Sequence, residues 1–192
     1  ALGQGAPLAA STVQQRPHAF LFFSKSQDRA VQVSPLRFAF SQLRSYKSWG
    51  ALFEETATLW AQYARAISPR RVTAVAVRYI NRLELPLGGA PPSEFLSLFP
   101  NVPEGLPPIA RSLMQVTMPD PVTGSVALVT QTVEPIANAE GAFAVGLDIQ
   151  ARADVDLAVD DPALWLKLDA LRLLKNQIFF ASVTDRALEH HR

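Results

Sequence analysis

Two long stretches of this chain alternate between apolar and polar residues with a period of two. One is RVTAVAVRYINRLELP, residues 71–86, and the other is GAFAVGLDIQARADVDL, residues 141–157. Because successive side chains of a strand point to opposite faces, each stretch predicts a strand with one apolar and one polar face. Half-exposed strands of this kind are typical of antiparallel sheets, so the alternation favours an antiparallel sheet over a buried parallel one.

Two other segments have the spacing of amphipathic helices. In residues 48–67 the large apolar residues recur at helical intervals, Ser48 is a suitable N-cap, and Pro69 prevents continuation. Near the C-terminus, Asp161 as N-cap and Pro162 at the first helical position predict a second helix of about 25 residues. We therefore expect an α+β fold, an antiparallel sheet with an amphipathic helix after the first strands and a long C-terminal helix packed on the sheet.

The domain organisation is predicted from the segments between these elements. Residues 1–17 are small and polar without periodicity and predict a flexible tail, whereas HAFLFFSKSQDRAVQV directly after them predicts a hairpin. Residues 87–110 are rich in proline and glycine. We expect a single α+β domain over residues 18–192, or two halves, 18–86 and 111–192, joined by that segment.

The composition limits the possible classes of function. The chain has 192 residues, 48% of them hydrophobic, with 18 basic and 17 acidic residues and a net charge of +1. Such a balance is typical of a globular protein and gives no overall field that attracts nucleic acid or anionic membrane. The absence of cysteine excludes disulfides and thiolate chemistry. Since no apolar run approaches the ~20 residues of a membrane helix, we expect a cytoplasmic protein with no membrane partner.

Motifs of known chemistry are absent from the sequence. It contains no G-x-S-x-G elbow, no P-loop and no G-x-G-x-x-G after a strand. The three histidines lack the spacing of a metal site. We therefore expect no catalytic centre, no metal and no cofactor.

The polar face of the first alternating stretch is the main candidate for binding. It carries Arg78, Arg82 and Glu84, and pairing with the second stretch would add Asp148 and Arg152. Such a patch could bind an anionic or hydrogen-bonding ligand through its arginines. The interpretation that we favour is a solvated sheet face with weak cross-strand ion pairs, which any half-exposed strand presents.

Asn81 lies among the apolar residues of the first stretch, so its amide needs a partner. An unpaired buried amide costs roughly 1 to 3 kcal/mol. Most buried polar groups are satisfied within the protein, so we expect Asn81 to bond backbone at a bulge or a helix end and to anchor structure. A role in a binding patch is the alternative.

Several blocks of the chain resemble one protein family. They are LRFAFSQLRSYKSWGALFEETATLWAQY, VRYINRLELP, GLDIQ and LWLKLDALRLLKNQIFFASVTD. Their order is similar to that in a sporadically distributed family of uncharacterised bacterial proteins, marked by an R-Y-I-N-R motif and a C-terminal pattern resembling L-R-x-x-K-N-x-x-F-x-x-x-T-D. The resemblance runs from about residue 20 to residue 186.

The resemblance implies signature positions rather than an activity, because none is established for the family. The implied positions in this sequence are Arg78, Tyr79, Ile80, Asn81, Arg82, Asp148, Arg172, Lys175, Asn176, Phe179, Thr184 and Asp185. Arg172, Lys175 and Asn176 lie within about one helical turn, so they could present polar groups on one side of the last helix. Members of the family begin with a further stretch that resembles a strand and a helix, which implies that a segment is missing before residue 1.

These observations lead to three hypotheses about function. The first is a non-catalytic binding or assembly component, with a protein partner or self-association. The second is a small-ligand-binding domain, or an enzyme of unrecognised type, that uses the arginine, aspartate and asparagine residues as a polar patch. The third is a weak nucleic-acid binder, which the near-zero charge disfavours.

Overall fold

The computed structural model describes residues 19–86, 90–137 and 141–190. The chain divides into two compact units, Ala1–Pro69 and Arg70–Arg192. The predicted tail, residues 1–17, lies outside the described residues.

Unit 1 begins with a three-stranded antiparallel sheet. Its strands are β1 (Phe20–Phe23), β2 (Arg29–Ser34) and β3 (Arg37–Gln42), in the order β1-β2-β3. The predicted hairpin is therefore present as β1 and β2. In its turn the Ser24 hydroxyl accepts hydrogen bonds from the backbone N–H groups of Asp28 (3.2 Å) and Arg29 (3.1 Å).

Helix α1 (Trp49–Ile67) follows β3 and begins as its sequence predicts. The Ser48 hydroxyl accepts a hydrogen bond from the backbone N–H of Ala51 at 3.2 Å, which satisfies one of the free donors of the first turn. The helix ends at Ser68, whose φ of 50° is left-handed, one residue before Pro69. Ser48 thus sets the start of α1, and Pro69 sets its end.

The aromatic stripe of α1 packs on β3. The ring centroid of Phe38 lies 5.6 Å from that of Trp60 and 5.4 Å from that of Tyr63. The Tyr63 hydroxyl donates to the backbone carbonyl of Ser34 at 2.9 Å. These contacts join the helix to the β3 side of the sheet.

Unit 2 contains a four-stranded antiparallel sheet in the order β4-β7-β6-β5. Its strands are β4 (Val72–Pro86), β5 (Ser112–Asp120), β6 (Ser125–Pro135) and β7 (Ala142–Leu157). The two alternating stretches of the sequence form β4 and β7, and they are neighbours, with Ile80 opposite Asp148. Strand β4, from the suggested half 18–86, thus lies in one sheet with β5, β6 and β7 from the suggested half 111–192.

Helix α2 (Ala163–Ser182) packs on β4, β6 and β7. The Asp161 carboxylate accepts a hydrogen bond from the N–H of Ala163 at 2.8 Å, as expected for a cap. The helix has 20 residues, fewer than the ~25 predicted from its start signals and apolar spacing. It stops because Val183 leaves the helix to form a β-bridge with Leu96.

After this break a short helix, α3 (Asp185–Glu189), closes the described chain. The Thr184 hydroxyl accepts from the N–H of Ala187 and donates to the carbonyl of Glu94 at 2.8 Å. Thr184 therefore caps α3 and also ties it to the segment before β5, which explains structurally why a threonine suits this position.

The core of unit 2 lies between the sheet and α2. Alternate residues of β7 are buried, with Leu147 and Ile149 at 0% exposure, and Phe95 and Leu96 are buried with them at 1%. From α2, Leu171 is fully buried. The predicted α+β class is confirmed. In the described part of the chain, no helix is both long and apolar enough to cross a membrane.

Two leucines of α2 provide a matched test of this packing. Leu171 is 0% exposed and Leu173 is 62% exposed. Leu171→Ala should lower the free energy of unfolding by about 2–5 kcal/mol, because it leaves a cavity. Leu173→Ala should change it by no more than about 0.5 kcal/mol. Urea denaturation measures both, and equal losses would contradict the placement of α2.

Candidate functional site

The residues predicted to form a site divide between the two faces of the larger sheet. The outer face carries Arg78, Arg82, Glu84, Asp148 and Arg152, as the strand register requires. The inner face, which α2 covers, carries Asn81. The remaining predicted residues, Arg172, Lys175 and Asn176, belong to α2. The structure therefore does not bring all the predicted residues together in one patch.

On the outer face, Arg78 and Asp148 form a two-point ion pair between strands. Arg78 Nε donates to Asp148 Oδ1 at 2.9 Å, and Nη2 donates to Oδ2 at 2.5 Å. The hydrogen bonding, together with the carboxylate charge, raises the pKa of Arg78 above its usual value. This pair joins the centre of β4 to the centre of β7 on the solvent side.

The other outer-face arginines pair along their own strands. Arg82 lies 3.4 Å from Glu84, and Arg152 lies 2.7 Å from Asp154. Their side chains are more than half exposed, so each pair contributes little to stability. Three arginines matched by three carboxylates make this surface nearly neutral, which favours the interpretation as a solvated sheet face.

The inner face contains a cluster of polar groups between the sheet and α2. Lys175 is only 8% exposed, and its Nζ atom lies 3.7 Å from the centroid of the Tyr79 ring. Asn81 Nδ2 donates to the backbone carbonyl of Leu147 at 3.3 Å. Asn81 thus bonds backbone, as expected, although its partner is the neighbouring strand and not a bulge or a helix end.

Lys175 is the buried titratable group of this cluster. Burial lowers the pKa of its amine, and the positive charge of Arg172 lowers it further. Among the ion pairs of the described residues, none joins Lys175 to a carboxylate. A buried amine with a lowered pKa can act as a nucleophile or hold an anion, so Lys175 is the residue of the predicted set with the most distinctive environment.

Sequence reasoning missed two exposed apolar surfaces. In β1, Phe20, Leu21, Phe22 and Phe23 are each between 55% and 58% exposed. On the outer side of α2, Leu166, Leu173 and Phe180 are 71%, 62% and 59% exposed, at intervals of seven residues. The seven-residue spacing was visible in the sequence, whereas the exposure of β1 follows from strand order.

Comparison of the chain with protein-family models, curated proteins and solved structures finds no match. The resemblance to the family with the R-Y-I-N-R motif stays a prediction. Within the residues that the structure describes, no three histidine, aspartate or glutamate side chains are grouped so that they could hold a metal ion.

The lowered pKa of Lys175 has a consequence for stability. Between the pKa in the folded protein and the unfolded value near 10.4, the folded state binds fewer protons than the unfolded chain. The free energy of unfolding should therefore rise with pH across this window. Lys175→Met should lose this rise and be more stable than the wild type at neutral pH, since no buried charge remains.

Urea denaturation at a series of pH values measures this effect. Lys167→Met is the matched control, because Lys167 lies on the same helix and its Nζ donates to the Thr123 carbonyl at an exposed site. The control should keep the rise. A Lys175→Met protein that also keeps it would show that Lys175 is not the group responsible.

Proposed function

We propose that this chain is a non-catalytic binding component that joins another polypeptide, or further copies of itself, in an assembly. The observation that carries the proposal is β1, which among the described strands is an edge strand, with four consecutive apolar residues that are each more than half exposed. An edge strand offers unpaired backbone donors and acceptors, and exposed apolar side chains beside them favour addition of a strand.

The larger sheet supports this interpretation by contrast. Its edge strands are β4 and β5. The first carries charged side chains, including Arg78 and Arg82, and the second contains Pro119 and exposed polar residues such as Gln115. Charges and proline are the usual protection of an edge against pairing, and β1 has neither. Of these three edge strands, β1 is therefore the one that lacks protection.

Unit 1 also has little interior of its own. Among its described residues, the hydrophobic side chains that are buried are Ala30 and Tyr63, whereas unit 2 buries a continuous cluster. Small units bury a low fraction of their surface and commonly gain stability by association. A partner strand on β1 would supply apolar burial that unit 1 lacks.

A second observation supports the small-ligand hypothesis. Lys175, with its ammonium over the Tyr79 ring and its pKa lowered by burial and by Arg172, is a group that could receive an anion or a carbonyl compound. If the chain binds a small ligand, we propose the inner cluster as the site. The nucleic-acid hypothesis has the least support, because carboxylates balance the outer-face arginines.

Photo-crosslinking tests the proposed function. A benzoylphenylalanine in place of Phe22 should form an adduct with a polypeptide when irradiated in extract from the source cells, because this side chain would lie against the bound strand. The control carries the same group in place of Leu36, which is 96% exposed but lies outside β1. Equal labelling from both positions, or no adduct from Phe22, would contradict the proposal.

The double variant Arg78→Met/Arg82→Met separates the first hypothesis from a ligand site on the outer face. If the chain works through β1, the variant should fold with nearly unchanged stability and give the same Phe22 adduct, since exposed ion pairs contribute about 0–1 kcal/mol. Native mass spectrometry of protein purified gently from its own source is the second measurement. A bound small molecule that the double variant loses would favour a ligand site on the outer face.

A further inference from the structure

The polypeptide that β1 fits best is a second copy of itself. We propose that two β1 strands pair antiparallel about a two-fold axis at Leu21, which joins two three-stranded sheets into one sheet of six strands. This inference rests on the proposed function and names its partner.

The hydrogen-bond phase of the β1–β2 hairpin determines which backbone groups are free. The N–H of Ser24 donates to the carbonyl of Arg29 at 3.0 Å, so these two residues form a hydrogen-bonded pair of the ladder. Phe22 and Phe20 follow at steps of two residues, so their backbone groups also point toward β2. Because bonded residues alternate along an antiparallel strand, the backbone groups of Leu21 and Phe23 point away from β2. In a two-fold pair, Leu21 of each copy can therefore donate to and accept from Leu21 of the other.

The side chains agree with the same register. Centring the pair on Leu21 places Phe20 opposite Phe22 of the second copy, and Phe23 opposite Ala19. Each of the four strand residues then meets an apolar residue, and β1 carries no charge that would oppose itself. Centring on Phe22 instead would place Phe20 opposite Ser24 of the other copy, so that a phenylalanine ring on each side would face a hydroxyl group.

The pairing would also extend an aromatic surface that already exists. Phe20 and Phe22 point to the same face of the sheet, and their ring centroids lie 6.4 Å apart. Phe20 lies opposite Val33 of β2, and Val33 lies opposite Phe38 of β3, so the three side chains point to one face of the sheet. Because Phe38 contacts Trp60 of α1, this is the face on which α1 packs. Two copies would bring four phenylalanine rings together on that face.

The size of the contact predicts its strength. An aromatic side chain has roughly 150–250 Å² to bury, so the half-exposed rings of Phe20, Phe22 and Phe23 leave about 100 Å² each, or about 600 Å² for the six rings of two β1 strands. Stable interfaces bury about 1,200–2,000 Å². The dimer should therefore be weak and depend on protein concentration.

Sedimentation velocity from about 5 to about 500 µM, a range suited to weak interfaces, tests the association. The wild type should shift from monomer to dimer as the concentration rises. Leu21→Lys should weaken the dimer at least about tenfold, because two like charges would then lie opposite each other at the axis. The control Leu36→Lys, at an exposed leucine outside β1, should stay within about twofold of the wild type.

Single cysteines test the register, because the chain contains no cysteine of its own. Leu21→Cys should form an interchain disulfide quickly under mild oxidation, since opposed Cα atoms would be about 5.5 Å apart. Phe23→Cys should crosslink slowly, because its two copies would lie four residues, or about 13 Å, apart along the strands. Equal rates, or faster crosslinking at residue 23, would overturn the Leu21 axis.

The outcomes also separate this inference from the proposed function. A wild type that stays monomeric to the highest concentration overturns the self-pairing. If the Phe22 crosslinker then captures a different polypeptide, the proposed function stands and the partner is that protein. If it captures nothing, both fail.

Discussion

The antiparallel pairing of β4 with β7 is the interaction on which unit 2 depends. Its register is continuous from Ala74 opposite Asp154 to the far end of both strands. It creates one apolar face, which α2 covers, and one polar face, on which Arg78 reaches Asp148. A slip of one residue would exchange the faces and force that ion pair into the core. The alternation of hydrophobic residues and the outer ion pair thus specify the same register.

This pairing explains how much of unit 2 the sequence predicts. From Ala74 onward in β4, a period of two assigns the residues of β4 and their partners in β7 to a face, and Asp161 with Pro162 marks the start of α2, because both signals are local. The end of α2, in contrast, depends on a contact with a residue that is distant in sequence. Val183 follows an apolar helical pattern and leaves it only because Leu96, distant in sequence, offers a bridge.

The candidate site was only partly predictable for a similar reason. Asn81 was grouped with Arg78 and Arg82 because the three residues are close in sequence. In the strand, however, Asn81 points to the inner face of the sheet and the two arginines point to the outer face. Lys175 drew attention through the family resemblance, but its burial over the Tyr79 ring depends on which turn of α2 meets the sheet. For β1, four consecutive apolar residues predicted a strand. Their exposure required the strand order, which the pattern does not contain.

The exposed β1 strand and the small core of unit 1 belong to one thermodynamic argument. Unit 1 buries Ala30 and Tyr63 but leaves the side chains of Phe20 to Phe23 about half exposed. Much of its apolar surface therefore stays in contact with water and does not stabilise the fold. A partner that binds only the folded edge stabilises the fold by mass action, so with such a partner the folding and association of unit 1 would be coupled. Unit 2 completes its core from its own sheet, α2, α3 and the segment around Phe95 and Leu96, so it would gain little from such coupling. On the proposal of a β1 partner, an unprotected edge would be retained because association would add to the stability of unit 1.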